Sequence, residues 1–119
     1  MTSLAACSSQ DVSINSGALK DGTYKASGDK WDFGSEEATV VVKDNKIETI
    51  TLNRIDTEGK EIDYKAYNEM GGPDLETARN ELSNAILTKQ SYEVDTVSGA
   101  TMSTNNWKVA VQRALEQSK

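Results

Sequence analysis

The pattern of apolar and polar positions in the first half of the chain predicts three β-strands. Residues 22–28 (GTYKASG) alternate in character and close on glycine, whereas residues 37–43 (EATVVVK) and 46–52 (KIETITL) are rich in β-branched side chains. Asp44 and Asn45, which separate the last two stretches, suit a two-residue hairpin turn because both residue types tolerate positive φ. The pattern therefore predicts an antiparallel meander with one face free to pack.

The second half of the chain has apolar residues at helical spacing, which predicts two helices. Asp74 is a natural N-cap for the first helix, which we expect to end near Gln90. We expect Ser103 or Thr104 to cap the second helix. Residues 53–72 are polar and predict no definite element. The apolar stripes that would cover the sheet are Leu75, Ala78, Leu82, Ala85 and Ile86 in the first helix, and Trp107, Ala110, Val111, Ala114 and Leu115 in the second.

The expected fold class is α+β, a single domain with a small antiparallel sheet (meander) packed by two or more helices. The chain has 119 residues, a length that suits one domain. Apolar residues make up 36% of the chain and the mean hydropathy is -0.61, which indicates a small core rather than a membrane span. We expect the domain to cover residues 21–119, behind a flexible tether formed by the small, polar residues 1–20.

Composition and charge exclude several classes of chemistry. The net charge is -6 and the pI is about 4.6, which argues against nucleic acid as a partner because that ligand favours clustered Lys and Arg. A single cysteine cannot form an intramolecular disulfide or a CxxC pair, and the sequence has no histidine for a Ser-His-Asp triad. The chemistry must therefore come from a bound cofactor or from carboxylates.

The segment LAAC at residues 4–7, which ends at Cys7, resembles the lipobox of bacterial lipoproteins, in which the cysteine becomes diacylated. No basic segment and no apolar segment of roughly 7–15 residues precedes it, so we expect the signal peptide to be missing from this sequence. The alternative is that four small residues match the lipobox by chance. Lipidation of Cys7 would make the protein an extracytoplasmic lipoprotein of the cell membrane.

Residues 93–104 (EVDTVSGATMST) connect the two predicted helices. The small residues at 98–100 allow the backbone to approach a ligand closely. Exposed amides at residues 102–104 and the helix dipole favour a phosphate there, and Thr101 places a hydroxyl beside this anion site. Ordinary loops before helices have similar sequences, and the residues alone leave both interpretations open.

The run DTVSGAT at residues 95–101 resembles the D-x-x-S-G-A-T flavinylation signature of the FMN-binding domain family. That family includes periplasmic subunits of Na+-pumping NADH:quinone reductase and of the related ferredoxin:NAD+ reductase complex, as well as lipoproteins of extracellular electron-transfer systems. The resemblance extends over about residues 21–117, through the opening DGTY, the hairpin VVVKDNKI, the QS before the signature and the closing helix.

The resemblance implies that Thr101 forms a phosphoester with FMN, made by a dedicated flavin transferase with FAD as the donor. It implies that Asp95 either serves recognition by the transferase or holds the turn. Trp31 is expected either to touch the flavin or to belong to the core, and Met70 and Gly71 are expected beside the isoalloxazine ring. The remaining residues expected near the phosphate are Ser98, Gly99, Ala100, Met102, Ser103 and Thr104.

The expected function is an extracytoplasmic electron carrier in which FMN accepts and donates electrons, without enzymatic turnover of its own. The expected partners are a flavin transferase, membrane-bound redox proteins or the quinone pool, and the membrane through the lipid anchor. Neither nucleic acid nor a metal ion is expected. The alternative is a non-redox module, such as a ligand-binding or surface-anchored lipoprotein in which SGAT is only structural. A hydrolase is the least supported class, because no histidine is present to assist a carboxylate.

Overall fold

The computed structural model describes residues 19–32, 34–97 and 99–119, in which a three-stranded sheet is packed by helices. The strands are β1 (Gly22–Ser27), β2 (Ser35–Lys43) and β3 (Lys46–Ile55), and the helices are α1 (Tyr64–Glu69), α2 (Leu75–Lys89) and α3 (Thr101–Gln117). The strands pair antiparallel in the order β1-β2-β3. The predicted α+β class and the meander are confirmed. The tether prediction concerns mainly residues 1–18, including Cys7, which lie outside the described residues.

The hairpin between β2 and β3 forms as the sequence predicts. Asp44 and Asn45 have φ values of 53° and 64°, the left-handed values that a two-residue hairpin turn of this kind requires at both positions. Both strands extend beyond their predicted bounds, because the inward-facing positions continue through Glu36 on β2 and Arg54 on β3.

Helix α2 begins at the predicted N-cap, Asp74, and ends near Gln90 as expected. The carboxylate of Asp74 accepts a hydrogen bond of 3.0 Å from the Thr77 backbone N–H and one of 2.9 Å from the Thr77 hydroxyl. Gln90 ends the helix in a left-handed conformation with φ of 58°. Its side-chain amide bonds the backbone N–H and carbonyl of Ile47, at 2.8 and 3.0 Å, and this ties the end of α2 to β3.

The predicted start of α3 is wrong. The helix begins at Thr101 with Ala100 as its N-cap, so Ser103 and Thr104 lie inside the first turn instead of capping it. Both side chains are buried, and the Ser103 hydroxyl accepts a hydrogen bond from the buried Arg54. The two polar residues therefore serve the interior and not the helix end.

Helix α1 lies in the polar stretch 53–72, for which the sequence predicted no element. Asp63 caps it, and Tyr64 is its buried residue. The Tyr64 hydroxyl accepts a hydrogen bond of 2.9 Å from the Arg54 backbone N–H and donates one of 2.7 Å to Glu61. Burial, together with this bond to Glu61, raises the pKa of Tyr64 to about 12. A helix of six residues with a single buried residue shows no apolar periodicity, so the sequence pattern could not predict it.

The core lies between the sheet and the two long helices. Helix α3 packs across β1 and β2, and α2 packs along β3. Trp107 of α3 is fully buried, and its indole N–H donates to the Asn53 carbonyl at 2.9 Å. In the described part of the chain, no helix has the length and apolar character to cross a membrane. Ala85, predicted for the same stripe, is only partly buried. The buried residues that confirm the predicted stripes are Leu75, Ala78, Leu82, Ile86, Trp107, Ala110, Val111, Ala114 and Leu115.

Candidate functional site

The first turn of α3 carries backbone N–H groups that have no acceptor among the described residues. Its N-cap, Ala100, has a methyl side chain that cannot accept a hydrogen bond. Among the described residues, the N–H groups of Thr101, Met102 and Ser103 have no partner, whereas that of Thr104 donates to the Ala100 carbonyl at 2.9 Å. No acidic side chain lies in this turn. This helix end therefore offers free donors and the positive end of the dipole to an external anion.

The turn before α3 leaves Thr101, the first residue of the helix, accessible to solvent. The Ala100 N–H donates to the Val97 carbonyl at 3.1 Å, which closes the turn. Gly99 has φ of 87°, a conformation that residues with a Cβ rarely adopt, and its Cα faces open space. The side chain of Thr101 is exposed. An accessible hydroxyl group thus lies next to these N–H donors.

A cleft of about 460 Å³ opens beside this turn. Part of its lining comes from the turn and the start of α3, and the rest comes from two aromatic side chains and a proline that are distant in sequence. Apolar and aromatic linings with a few convergent polar groups are typical of cofactor sites. The lining residues are Trp31, Tyr67, Pro73, Gly99, Ala100, Thr101, Met102 and Ser103.

The connection between β1 and β2 holds Trp31 at the cleft. Trp31 and Gly34 exchange backbone hydrogen bonds of 2.7 and 2.9 Å. The Trp31 indole N–H donates to Oε1 of Glu36 at 2.9 Å, and the Asn106 amide of α3 donates to the same oxygen at 2.6 Å. Asn106 also bonds the backbone N–H and carbonyl of Asp29. The partly buried indole is therefore fixed in place by both the sheet and α3.

A buried ion pair lies directly behind the cleft. Glu36 and Arg54 are cross-strand neighbours, with side chains 0% and 1% exposed and a distance of 3.3 Å between Oε2 and NH1. NH1 of Arg54 also donates to the Ser103 hydroxyl at 3.1 Å. The guanidinium carbon lies 4.7 Å from the centroid of the Trp31 ring and 5.6 Å from that of the Tyr67 ring. Arg54 therefore contacts three residues that line the cleft.

Most of the site residues predicted from the sequence meet at this cleft. Trp31 belongs to its wall and not to the closed core. Thr104 is fully buried, and its hydroxyl oxygen has no hydrogen-bond partner among the described residues. Ser98 lies outside the described residues. The predicted residues that line the cleft together are Trp31, Gly99, Ala100, Thr101, Met102 and Ser103.

Besides the buried Thr104, three predicted residues are not part of the cleft lining. Asp95 is exposed and borders a separate groove beside the C-terminal part of α2. Met70 and Gly71 follow α1 and are exposed, Met70 to 83%. Tyr67 and Pro73, which lie on either side of them in the sequence, line the cleft instead.

Four residues of the site and of its support were not predicted from the sequence. Tyr67 lies in the polar stretch 53–72, for which no element was predicted, and Pro73 directly follows it. Only the packing of the chain brings these two residues next to α3. Glu36 and Arg54 did have a signal in the sequence. Each continues the alternation of buried positions along its strand, and this alternation places a charged side chain on the core face.

The arrangement suits a ligand with a phosphate group at one end and a flat aromatic ring at the other. The free N–H groups at the start of α3 are donors for the phosphate. Trp31, Tyr67 and Met102 offer aromatic and polarisable surfaces to a ring. FMN has both ends, and the residues present fit it. The fold and the cleft therefore define a small α+β domain built to bind a nucleotide-type cofactor.

Comparison with known proteins specifies this class further. The sequence model of the FMN-binding domain family matches residues 34–116, more than half of the chain, so the protein belongs to the FMN-binding domain family. This confirms the family that the DTVSGAT motif indicated.

Solved structures share the fold. A crystal structure of a protein from Clostridium perfringens is 26% identical with a TM-score of 0.68, and the match covers 84% of this chain and 88% of that one. A solution NMR structure of a protein from Clostridium thermocellum is 25% identical with a TM-score of 0.60, and the match covers 85% and 93%. No curated protein matches the chain.

Proposed function

We propose that the protein is an electron carrier whose FMN is joined to Thr101 by a phosphoester bond and lies in the cleft beside Trp31 and Tyr67. The observation that carries the proposal is the exposed Thr101 side chain next to backbone N–H groups that have no acceptor among the described residues. A phosphate on this hydroxyl would lie within reach of those donors and of the helix dipole. FMN supplies the redox chemistry when bound, and the protein supplies attachment and orientation.

Attachment needs a flavin transferase with FAD as the donor. The Thr101 oxygen attacks the FMN-side phosphorus of FAD, the hydroxyl proton is lost, the pyrophosphate bond breaks and AMP leaves. The chain has no histidine to act as the base, and no carboxylate of the described residues lines the cleft, so we assign the base to the transferase. Asp95 is exposed and borders a groove outside the cleft, which supports a role in recognition by the transferase.

The segment that ends at Cys7 supports an extracytoplasmic location with a lipid anchor. A single acyl chain binds membranes only marginally, whereas a diacylglyceryl cysteine contributes two chains. Membrane-bound redox proteins or the quinone pool would then be the electron partners. Fractionation of producing cells tests this location. A full-length gene product that keeps a free Cys7 thiol and stays out of the membrane fraction would contradict it.

Production of the protein together with a flavin transferase tests the function. The wild type should gain the mass of FMN less water and fluoresce in a denaturing gel. Thr101→Ala should do neither, because it lacks the hydroxyl, and Thr101→Ser should keep at least part of the label. Thr77→Ala is the matched control, since Thr77 is also an exposed threonine in the first turn of a helix, and it should load fully.

Covalent flavin that survives Thr101→Ala would overturn the site. A wild type that takes no flavin from an active transferase would overturn the function and leave a non-redox lipoprotein module in its place. Asp95→Ala should slow loading and leave the affinity for free FMN unchanged. Glu93→Ala, at the border of the same groove, shows whether the effect belongs to Asp95 itself or to any negative charge there.

A further inference from the structure

We propose that the buried Arg54–Glu36 pair sets the reduction potential of the flavin, with the Arg54 cation facing the cleft and stabilising the reduced, anionic cofactor. This rests on the proposed function, because it requires FMN in the cleft. It adds to that function a property of two buried residues that lie behind the cleft lining, of which Arg54 donates a hydrogen bond to the Ser103 hydroxyl in the first turn of α3.

The contacts of Arg54 direct its charge toward the cleft. Its guanidinium lies against the rings of Trp31 and Tyr67, at 4.7 and 5.6 Å from the centroids, and donates to the Ser103 hydroxyl at 3.1 Å. All three partners line the cleft. A ligand seated there would therefore be separated from the cation by one layer of side chains.

The negative charge of Glu36 is partly compensated by N–H groups that donate hydrogen bonds to its carboxylate. Its Oε1 accepts from the Trp31 indole and from the Asn106 amide, and its Oε2 faces Arg54 at 3.3 Å. Asn106 is held in turn by the backbone of Asp29, in the connection between β1 and β2. Of the cleft residues, the carboxylate contacts Trp31 at the edge of its ring, whereas Arg54 contacts Trp31, Tyr67 and Ser103. The pair thus acts as a dipole with its positive end nearer the ligand.

Burial makes this dipole effective. The two side chains are 1% and 0% exposed, so solvent and salt screen their charges much less than those of a surface pair. An ion pair in this position is not the most stabilising choice, because well-packed apolar residues often replace such pairs without loss of stability. A role toward a charged ligand explains why a cation lies at this point of the core.

Reduction of FMN changes the charge that the pair faces. A reductant delivers two electrons and solvent delivers one proton, and the product FMNH⁻ carries one more negative charge on its ring system than oxidised FMN. A nearby cation stabilises this product more than the oxidised form, so it raises the reduction potential. Removing the cation lowers the potential, and removing only the neighbouring carboxylate raises it.

Redox titration of the full chain carrying covalent FMN tests the proposal, with dithionite as the reductant and redox dyes as mediators. Glu36→Gln keeps an acceptor for Trp31 and Asn106, and it should raise the equilibrium constant for reduction about tenfold, about 30 mV for a two-electron couple. The double variant Arg54→Met with Glu36→Gln removes both charges and should lower this constant by a similar factor from the wild-type value.

The matched control is Arg79→Met. Arg79 also stacks on an aromatic ring, that of Tyr64 at 4.0 Å, and lies 3.6 Å from a carboxylate oxygen of Glu61. It does not line the cleft. Like the double variant, the control removes one buried or partly buried arginine cation, but at a position outside the cleft lining, so the potential should stay at the wild-type value.

The outcomes separate this proposal from the proposed function. A wild type without covalent flavin, judged by intact mass, overturns both. If the double variant loads FMN normally and has the same reduction potential as Arg79→Met, only the tuning role is overturned. The pair would then serve only to position Trp31 and Ser103. If Glu36→Gln does not fold, the double variant still decides, because it leaves no unpaired buried charge. Shifts of opposite sign in the two variants support the proposal.

Discussion

Helices α2 and α3 pack on the same sheet but begin in opposite ways. At the start of α2, the Asp74 carboxylate bonds the backbone N–H of Thr77, three residues further on. At the equivalent place in α3 stands Ala100, and the backbone N–H of Ser103 has no acceptor among the described residues. An acidic residue, Glu76, also lies in the first turn of α2, whereas α3 has none.

The difference shows which helix end serves the fold and which serves a ligand. A capped end is complete without any partner and gains stability from its own carboxylate. The uncapped end of α3 lacks that stabilisation, and a phosphate is the group that would supply it. The cleft lies against α3 and not against α2, in agreement with this division.

The largest effect should come from giving α3 the cap that α2 has. In Ala100→Asp, the new carboxylate would accept from the Ser103 N–H and place a negative charge where the phosphate is proposed to bind. Repulsion of the phosphate should weaken the binding of free FMN by about tenfold, about 1.4 kcal/mol. Fluorescence titration of protein made without a transferase measures this affinity.

Ala100→Asn is the control for this substitution. It offers the same hydrogen bond without the charge, so it should lose less affinity than Ala100→Asp. Equal affinities in the two variants would show that charge at this helix end does not govern FMN binding.

A smaller effect should come from weakening the α2 cap. Hydrogen bonds from the Thr77 backbone N–H and hydroxyl lower the pKa of Asp74 below its ordinary value. A carboxyl with a depressed folded-state pKa stabilises the fold above its unfolded-state pKa, about 3.9, and this contribution disappears as the pH falls through the folded-state value. Asp74→Asn keeps an acceptor but does not titrate. The wild type should therefore have a higher urea midpoint at neutral pH, and the two midpoints should converge in acid.

Free FMN should bind Asp74→Asn as tightly as the wild type, because the α2 end does not line the cleft. A difference between the urea midpoints that persists unchanged into strong acid would show that the Asp74 charge is not its source. A loss of FMN affinity in this variant would remove the contrast between the two helix ends.

Local rules were sufficient where residues a few positions apart make the structure. Asp44 and Asn45 predicted their hairpin because the turn conformation depends on those two residues. Asp74 predicted the start of α2 in the same way, and the helix ends at Gln90, where the sequence pattern placed its end. The capping preference of serine gave a wrong prediction at Ser103, because the Ser103 hydroxyl accepts a hydrogen bond from the buried Arg54. Capping preference alone contains no information about that distant partner.

The sequence by itself determined the strands, the course of α2, the apolar stripe of α3 and the DTVSGAT motif that indicated the family. It also excluded catalysis by histidine. Each of these depends on composition or on neighbours within a few turns of the chain.

The cleft was decided only by the tertiary structure. Its walls bring Trp31, Tyr67 and Thr101 together from three separate parts of the chain, and the Glu36–Arg54 pair behind them forms across two strands. Their proximity depends on how α3 lies on the sheet and how α1 folds back at the end of β3. Burial of apolar surface along whole elements sets that packing, and no local pattern specifies it.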